Sequence, residues 1–450
     1  MTDEWKQILS EDTAHRAIGM ARCVAERLRD PSDVERAASI AYAQSPLPIK
    51  LGWHPADIAM GYSGLALLFG QMERCFPDEG WVVNAQDCLE LAAYEYRDIG
   101  LGLFGGLSGI AMSAWSLSEG GTRYVQLLSS LDEAILHGLR ELVDTVNSEP
   151  CGMPFKSYDV ISGLAGITRY FLARSDRPDY HEHLIPVLAA LGRLRESVGG
   201  RPRWHTPFQF VGPSLKHRQM YPHGNLNCGL AHGLPCIIAI LSLASLSGIS
   251  EPETRGAIEE MADWVVAQRS DDEWGLNWPS VISIVPSNAD NNDGEMVFAL
   301  DNKESPAQSA WCYGSAGIAA CLSLAGDALG VNSYSEVARE AMRAVVRRPP
   351  AKRGLVSPTF CHGLAGLMHT FTRFAQSNDG GEFVPAVESL CLDIEKMFEP
   401  DSLLGFRSVE LHGKRVDQPG LLDGTPGVAL ALLAAATPVG PEWDQIFLFS

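Results

Sequence analysis

Three residues of this 450-residue chain have the types and placement for metal chemistry. Cys312 stands in Trp311-Cys312-Tyr313-Gly314, and Cys361 and His362 stand together in Cys361-His362-Gly363. Two thiolates and an imidazole are standard zinc ligands, and three protein ligands leave a fourth position open for water or substrate. A metal site of that kind draws the proton from a thiol or water in its open position near neutral pH. Each cysteine lies two residues before a glycine that opens an apolar stretch. Both therefore sit at a helix start, where the dipole favours thiolate. Taken singly, either cysteine reads as a small buried hydrophobe, the commoner fate of a free thiol. What argues for a ligand set is that both occupy the same position of a repeated motif.

That motif is Gly-x-x-Gly followed by an apolar, helix-favouring run. It occurs at Gly61-Tyr62-Ser63-Gly64, Gly106-Leu107-Ser108-Gly109, Gly163-Leu164-Ala165-Gly166, Gly314-Ser315-Ala316-Gly317, Gly363-Leu364-Ala365-Gly366 and Gly424-Thr425-Pro426-Gly427, with a degenerate copy at Gly233-Leu234-Pro235-Cys236. A helix apolar on nearly every face is buried on all sides. Segments between copies, such as 257–268 and 337–348, mix apolar and charged residues at helical spacing, as one-wet-face helices do. Each unit thus pairs a buried inner helix with an amphipathic outer one. Seven such units predict a ring of about fourteen helices with the inner ones lining the centre. An open solenoid is the alternative, but it would bury its inner helices less completely. The residues just before the first glycines then form one central column: Met60, Gly105, Ser162, His232, Tyr313, His362 and Asp423. One position earlier lie Cys312 and Cys361.

The long gaps between copies hold insertions, about 196–225 and 270–305. The second reads as a short β-hairpin, from the apolar run 281–285, a polar turn at 288–293 and the run 295–300. Neither looks like an independent domain, so the expectation is a single domain over 1–450.

Bulk properties exclude several function classes. Apolar residues make up 46% and charged residues 20%, which suits a globular core. A net charge of −20 argues against nucleic-acid binding, which depends on clustered Lys and Arg. The N-terminal residues show no basic stretch followed by an apolar run, so no secretory signal is expected. The apolar run 234–249 is too short and too rich in serine for a membrane span. Ten scattered cysteines without a signal sequence suggest reduced thiols and a cytoplasmic protein.

The runs Gly229-Leu230-Ala231-His232-Gly233, Trp311-Cys312-Tyr313-Gly314 and Cys361-His362-Gly363, set within seven Gly-x-x-Gly helices, resemble the lanthipeptide synthetase component C family. The resemblance covers the chain from about Gly61 onward, and its length resembles that of a stand-alone class I cyclase. It implies an α/α toroid with one Zn²⁺ on Cys312, Cys361 and His362. The activity it implies is formation of (methyl)lanthionine thioether rings. A cysteine thiol of a dehydrated precursor peptide adds to a dehydroalanine or dehydrobutyrine. It also implies a dehydratase and an exporter as further partners. His232 matches the family's acid/base histidine, and Asp159 matches an aspartate near the active site, with a helix N-cap as its rival role. Tyr313 would donate a hydrogen bond to the enolate, or simply pack. One position departs from the family: Gln308 replaces an arginine four residues before the first zinc cysteine. A non-catalytic relative that binds a thiol peptide such as glutathione at the same zinc is the alternative function. An α/α-toroid glycosidase would need two convergent carboxylates, and the column offers only Asp423, with Asp159 nearby.

Overall fold

The computed structural model describes residues 5–47, 50, 52–94, 96, 99–149, 151–174, 176–212, 214–286, 298–301 and 307–450. All seven glycine motifs start a helix, with the first glycine as the N-cap residue of each. These inner helices are Tyr62–Cys75, Leu107–Ser116, Leu164–Ala173, Leu234–Leu246, Ser315–Leu329, Leu364–Gln376 and Thr425–Ala436. The second glycine has a steric reason. In five copies a Cβ there would stand 2.0–2.4 Å from the carbonyl oxygen six residues earlier, so the entry loop folds directly onto the first turn. Gly314 is under the tightest constraint. Its φ of 115° lies in the region that side chains avoid. A Cβ there would also lie 1.5 Å from the backbone oxygen of Gln308.

The chain packs as two compact units, one of residues 1–132 with 354–449 and one of residues 133–353 with Ser450. In the first unit, Leu364–Gln376, Thr425–Ala436, Tyr62–Cys75 and Leu107–Ser116 pack successively against one another. Outer helices Val384–Glu395, Glu11–Arg27 and Trp81–Tyr94 cover the first three. In the second unit, Leu234–Leu246 packs between Leu164–Ala173 and Ser315–Leu329. His181–Arg193, Thr254–Ala267 and Asn332–Arg347 are the corresponding outer helices. The inner-outer pairing follows from composition: every residue of Thr425–Ala436 is buried, whereas Asn332–Arg347 buries only one stripe. Each fully buried Leu, Ile or Val contributes roughly 1.5–3 kcal/mol. Pro31–Gln44 and the short Leu215–Met220 lie outside the repeat.

The second unit carries a three-stranded antiparallel sheet in the order Asn225–Asn227, Val281–Pro286, Phe298–Asp301. The expected hairpin is there, as 281–286 paired with 298–301. The expected polar turn at 288–293 and residues 295–297 lie outside the described residues. The strand Asn225–Asn227 was not expected, and it joins the two insertions, with Leu226, Ile282 and Ile284 buried along the shared face. No helix among the described residues is long and apolar enough to cross a membrane. All ten cysteines are free thiols.

Candidate metal and proton-transfer site

In the second unit, two loops lie face to face. Ala231 donates its N–H to the carbonyl of Cys312 at 3.3 Å. A side chain at Gly229 would meet that same carbonyl and the Tyr313 ring, each at 2.5 Å. Glycine at 229 therefore lets the His232 loop settle on the Cys312 loop. Asn227, at the end of the unexpected strand, locks the pair. Its Oδ1 accepts from the Gly229 N–H at 3.0 Å and its Nδ2 donates to the Tyr313 hydroxyl at 2.9 Å.

His232 donates from Nδ1 to Asp159 Oδ2 at 2.6 Å. A carboxylate at Nδ1 keeps a proton on that nitrogen, which makes Nε2 the nitrogen able to exchange one. Asp159 is buried, and its other oxygen accepts the backbone N–H groups of Ser162 (2.8 Å) and Gly163 (3.0 Å). One oxygen thus holds the turn before the helix and the other meets the imidazole. The helix N-cap role weighed for Asp159 is not what is seen, since Gly163 is the N-cap residue of Leu164–Ala173 and no side chain caps it. The His232 ring lies between Phe155 and Tyr313, with centroids 4.8 and 6.4 Å away, and its side chain keeps 27% of its exposure.

In the first unit, Cys361 and His362 occupy the entry loop of Leu364–Gln376. The Cys361 N–H donates to Leu422 O at 3.0 Å, and the Leu422 N–H donates to Ala59 O at 3.2 Å. Three successive entry loops are thus stitched edge to edge. Phe360, fully buried, stacks on Phe447 at 4.0 Å and anchors the loop one residue before the cysteine. His362 Nδ1 lies 3.3 Å from Asp423 Oδ1. Burial raises the Asp423 carboxyl above its ordinary range, and the neighbouring His362 opposes that rise.

The ligand atoms of Cys312, Cys361 and His362 all lie within 4.8 Å of one another. Among the described residues no other group of three His, Cys, Asp or Glu side chains is gathered in this way. The donor set is soft, and Cys361 and His362 are half-buried, so Zn²⁺ with one open position fits it. His232 and Asp159 do not belong to the group. Asn227 and Asp423 are the partners that sequence reasoning missed. A signal existed for Asn227: six residues before the first glycine, copies four, five and seven carry Asn227, Gln308 and Gln418. Their carbonyls all press against that glycine.

A family model described as lanthionine synthetase C-like protein matches residues 52–448. The nisin biosynthesis protein NisC of Lactococcus lactis subsp. lactis is 26% identical over 345 residues, which make up 76% of this chain and 79% of that protein. The solved structure of a nisin cyclase is similar with a TM-score of 0.73 at 22% identity, covering 98% of each chain. At that identity the likeness speaks to the fold, and the fold is the mainly helical α/α toroid expected from the repeats. The stretch matched by the family model takes in all seven glycine motifs and all six expected site residues. The chain belongs to the lanthionine synthetase C-like family.

Proposed function

We propose that this lanthionine cyclase holds one zinc ion on Cys312, Cys361 and His362 and closes thioether rings in a dehydrated precursor peptide. The observation that carries the reading is the Cys₂His set, with its ligand atoms within 4.8 Å of one another. When bound, zinc lowers the pKa of a coordinated thiol and so supplies a nucleophilic sulfur. The peptide sulfur forms a bond to the β-carbon of a dehydroalanine or dehydrobutyrine, and the C=C electron pair moves to make an enolate. His232 takes up at Nε2 the proton that the peptide thiol gives up and delivers it to the α-carbon, while Asp159 holds the Nδ1–H and so fixes the ring. Tyr313, whose oxygen accepts from Asn227, would donate its O–H to the enolate oxygen. Gln308, where the family carries an arginine, would supply an amide but no charge.

The chain would act as one cytoplasmic domain over 1–450, downstream of a dehydratase and upstream of an exporter. Addition leaves the peptide mass unchanged, so the test counts thiols. Incubation with a dehydrated, cysteine-containing peptide should make its thiols resistant to alkylation. Chelation should stop this and added Zn²⁺ should restore it. A protein that binds the peptide but consumes no thiols would instead be the non-catalytic thiol-peptide binder.

A further inference from the structure

We propose that Asp423 is the positioning residue of the metal imidazole: it accepts the Nδ1 proton of His362 and so turns Nε2 towards the metal. This rests on the zinc reading above.

Asp423 Oδ1 lies 3.3 Å from His362 Nδ1. That oxygen is buried and makes no hydrogen bond of ordinary geometry. It therefore has acceptor capacity to give, and the ring nitrogen is the group it faces. The position suggests another use, capping the helix Thr425–Ala436. Yet the N-cap residue of that helix is Gly424, and no side chain caps it. Asp423 is not one of the gathered ligand residues either.

The repeat supplies a precedent within the same molecule. Both working imidazoles stand in the central column, immediately before the first glycine of their copies. His232 is held at Nδ1 by a carboxylate from the preceding copy, Asp159. His362 meets one from the following copy, Asp423, at the same ring nitrogen. One arrangement thus serves two purposes. At His232 it leaves Nε2 for the proton, and at His362 it leaves Nε2 for the metal. A carboxylate behind a ligating histidine fixes the tautomer and raises the basicity of the ring, and losing it typically weakens metal binding 10–100-fold.

The test uses the full-length protein with Asp423→Ala, Asp423→Asn and Asp423→Glu. Zinc affinity is measured by competition with a chromogenic chelator, and the melting temperature of the metal-free form is measured alongside. Asp423→Ala should bind zinc about 10–100-fold more weakly while the metal-free melting temperature stays close to wild type. Asp423→Asn keeps an acceptor oxygen without the charge and should fall between the two. Asp423→Glu should recover part of the affinity. Wild-type affinity in both Asp423→Ala and Asp423→Asn would overturn the proposal. So would a loss of affinity that merely tracks a fall in metal-free stability. If Asp423→Ala does not fold, Asp423→Asn decides: a loss of several-fold supports the role and no loss overturns it. Wild-type protein that holds no zinc would fail the zinc reading itself, a distinct result from an unaffected variant.

Discussion

Two Asp–His pairs in this protein look alike on paper and differ in almost everything that matters. In the pair His232–Asp159 the ring keeps 27% of its exposure, whereas both side chains of His369–Asp444 are fully buried. His369 Nε2 meets Asp444 Oδ2 at 2.7 Å, and Arg373 forks onto the same carboxylate. Burial holds the His369 imidazole below its ordinary pKa against the pull of Asp444. Burial alone would raise the Asp444 carboxyl, but Arg373 and His369 together hold it low. The thiols divide the same way. Cys361 is half-buried in a gathered ligand set, while burial pushes the thiols of Cys236 and Cys321 well above their usual range. Residue type therefore does not mark the candidate groups, and exposure alone does not either, since Cys312 is buried. Position in an entry loop does: Cys236, Cys321 and His369 lie within helices.

The largest effect that could break this comparison is on the thiols. Cys361→Ala or Cys312→Ala should take the zinc content from about one per chain towards none and abolish thiol consumption, whereas Cys321→Ala should retain both. Metal analysis after gel filtration reads this directly, and full zinc retention by both ligand variants would remove the assignment. The protein should remain folded, since its helical core does not depend on one ion.

Next come the histidines. His232→Asn should keep close to one zinc per chain but slow cyclisation roughly 10²–10⁴-fold. His369→Gln should lower the melting temperature and leave the rate per folded molecule near wild type. Loss of zinc from His232→Asn would make it a ligand or a support for one. Normal turnover would pass the proton transfer to Tyr313 or solvent.

A smaller effect lies in the pH dependence of stability. The fold keeps His369 neutral, so below about pH 6.5 the unfolded chain takes up a proton that the fold refuses, and stability falls. Asp57 works in the opposite direction. Burial raises its carboxyl to about 6, so the fold holds a proton that the unfolded chain has lost, and acidification from pH 6 to 4 stabilises it. Melting temperatures at pH 7.5, 6 and 5 should show His369→Gln losing less on acidification than wild type. Asp57→Asn should gain relative to wild type at pH 7.5, by at most about 3 kcal/mol for a shift of this size. Parallel curves for all three proteins would mean that neither group governs the slope.

The smallest expected effect is at Gln308. The Gln308 backbone oxygen already packs against Gly314, so an arginine there must find room within a fixed turn. Gln308→Arg should modestly lower both rate and melting temperature. A higher rate would show that the missing charge limits the enolate step.

The inner helices were legible because their signal is local. Glycine is demanded where a carbonyl six residues back presses on the turn, and a wholly apolar run follows. Cys312, Cys361 and His362 were legible because the same repeat placed them in register. The bond from Asn227 to Tyr313 was not, because it depends on a strand pairing Leu226 with Ile282, far along the chain, and no periodicity announces such a pairing. Asp423 was visible as a column residue but not as a partner, since side-chain direction in a loop has no sequence period. The degenerate fourth motif starts a helix as its spacing predicts, even though Cys236 stands in place of its second glycine.

The packing of Glu11–Arg27 against Thr425–Ala436 has a consequence for how the protein is made. The first of these helices leaves the ribosome long before its partner exists. At about 5–20 residues per second, the interval between them is roughly 20–80 s. The second unit is drawn from one nearly unbroken stretch of chain, 133–353, and can condense as it emerges. The first unit must wait with an amphipathic helix unpaired, exposed to chaperones and proteases. Cys361 and His362 are themselves synthesised late in that interval, so the gathered Cys312, Cys361 and His362 set can be complete only in the closing moments of synthesis.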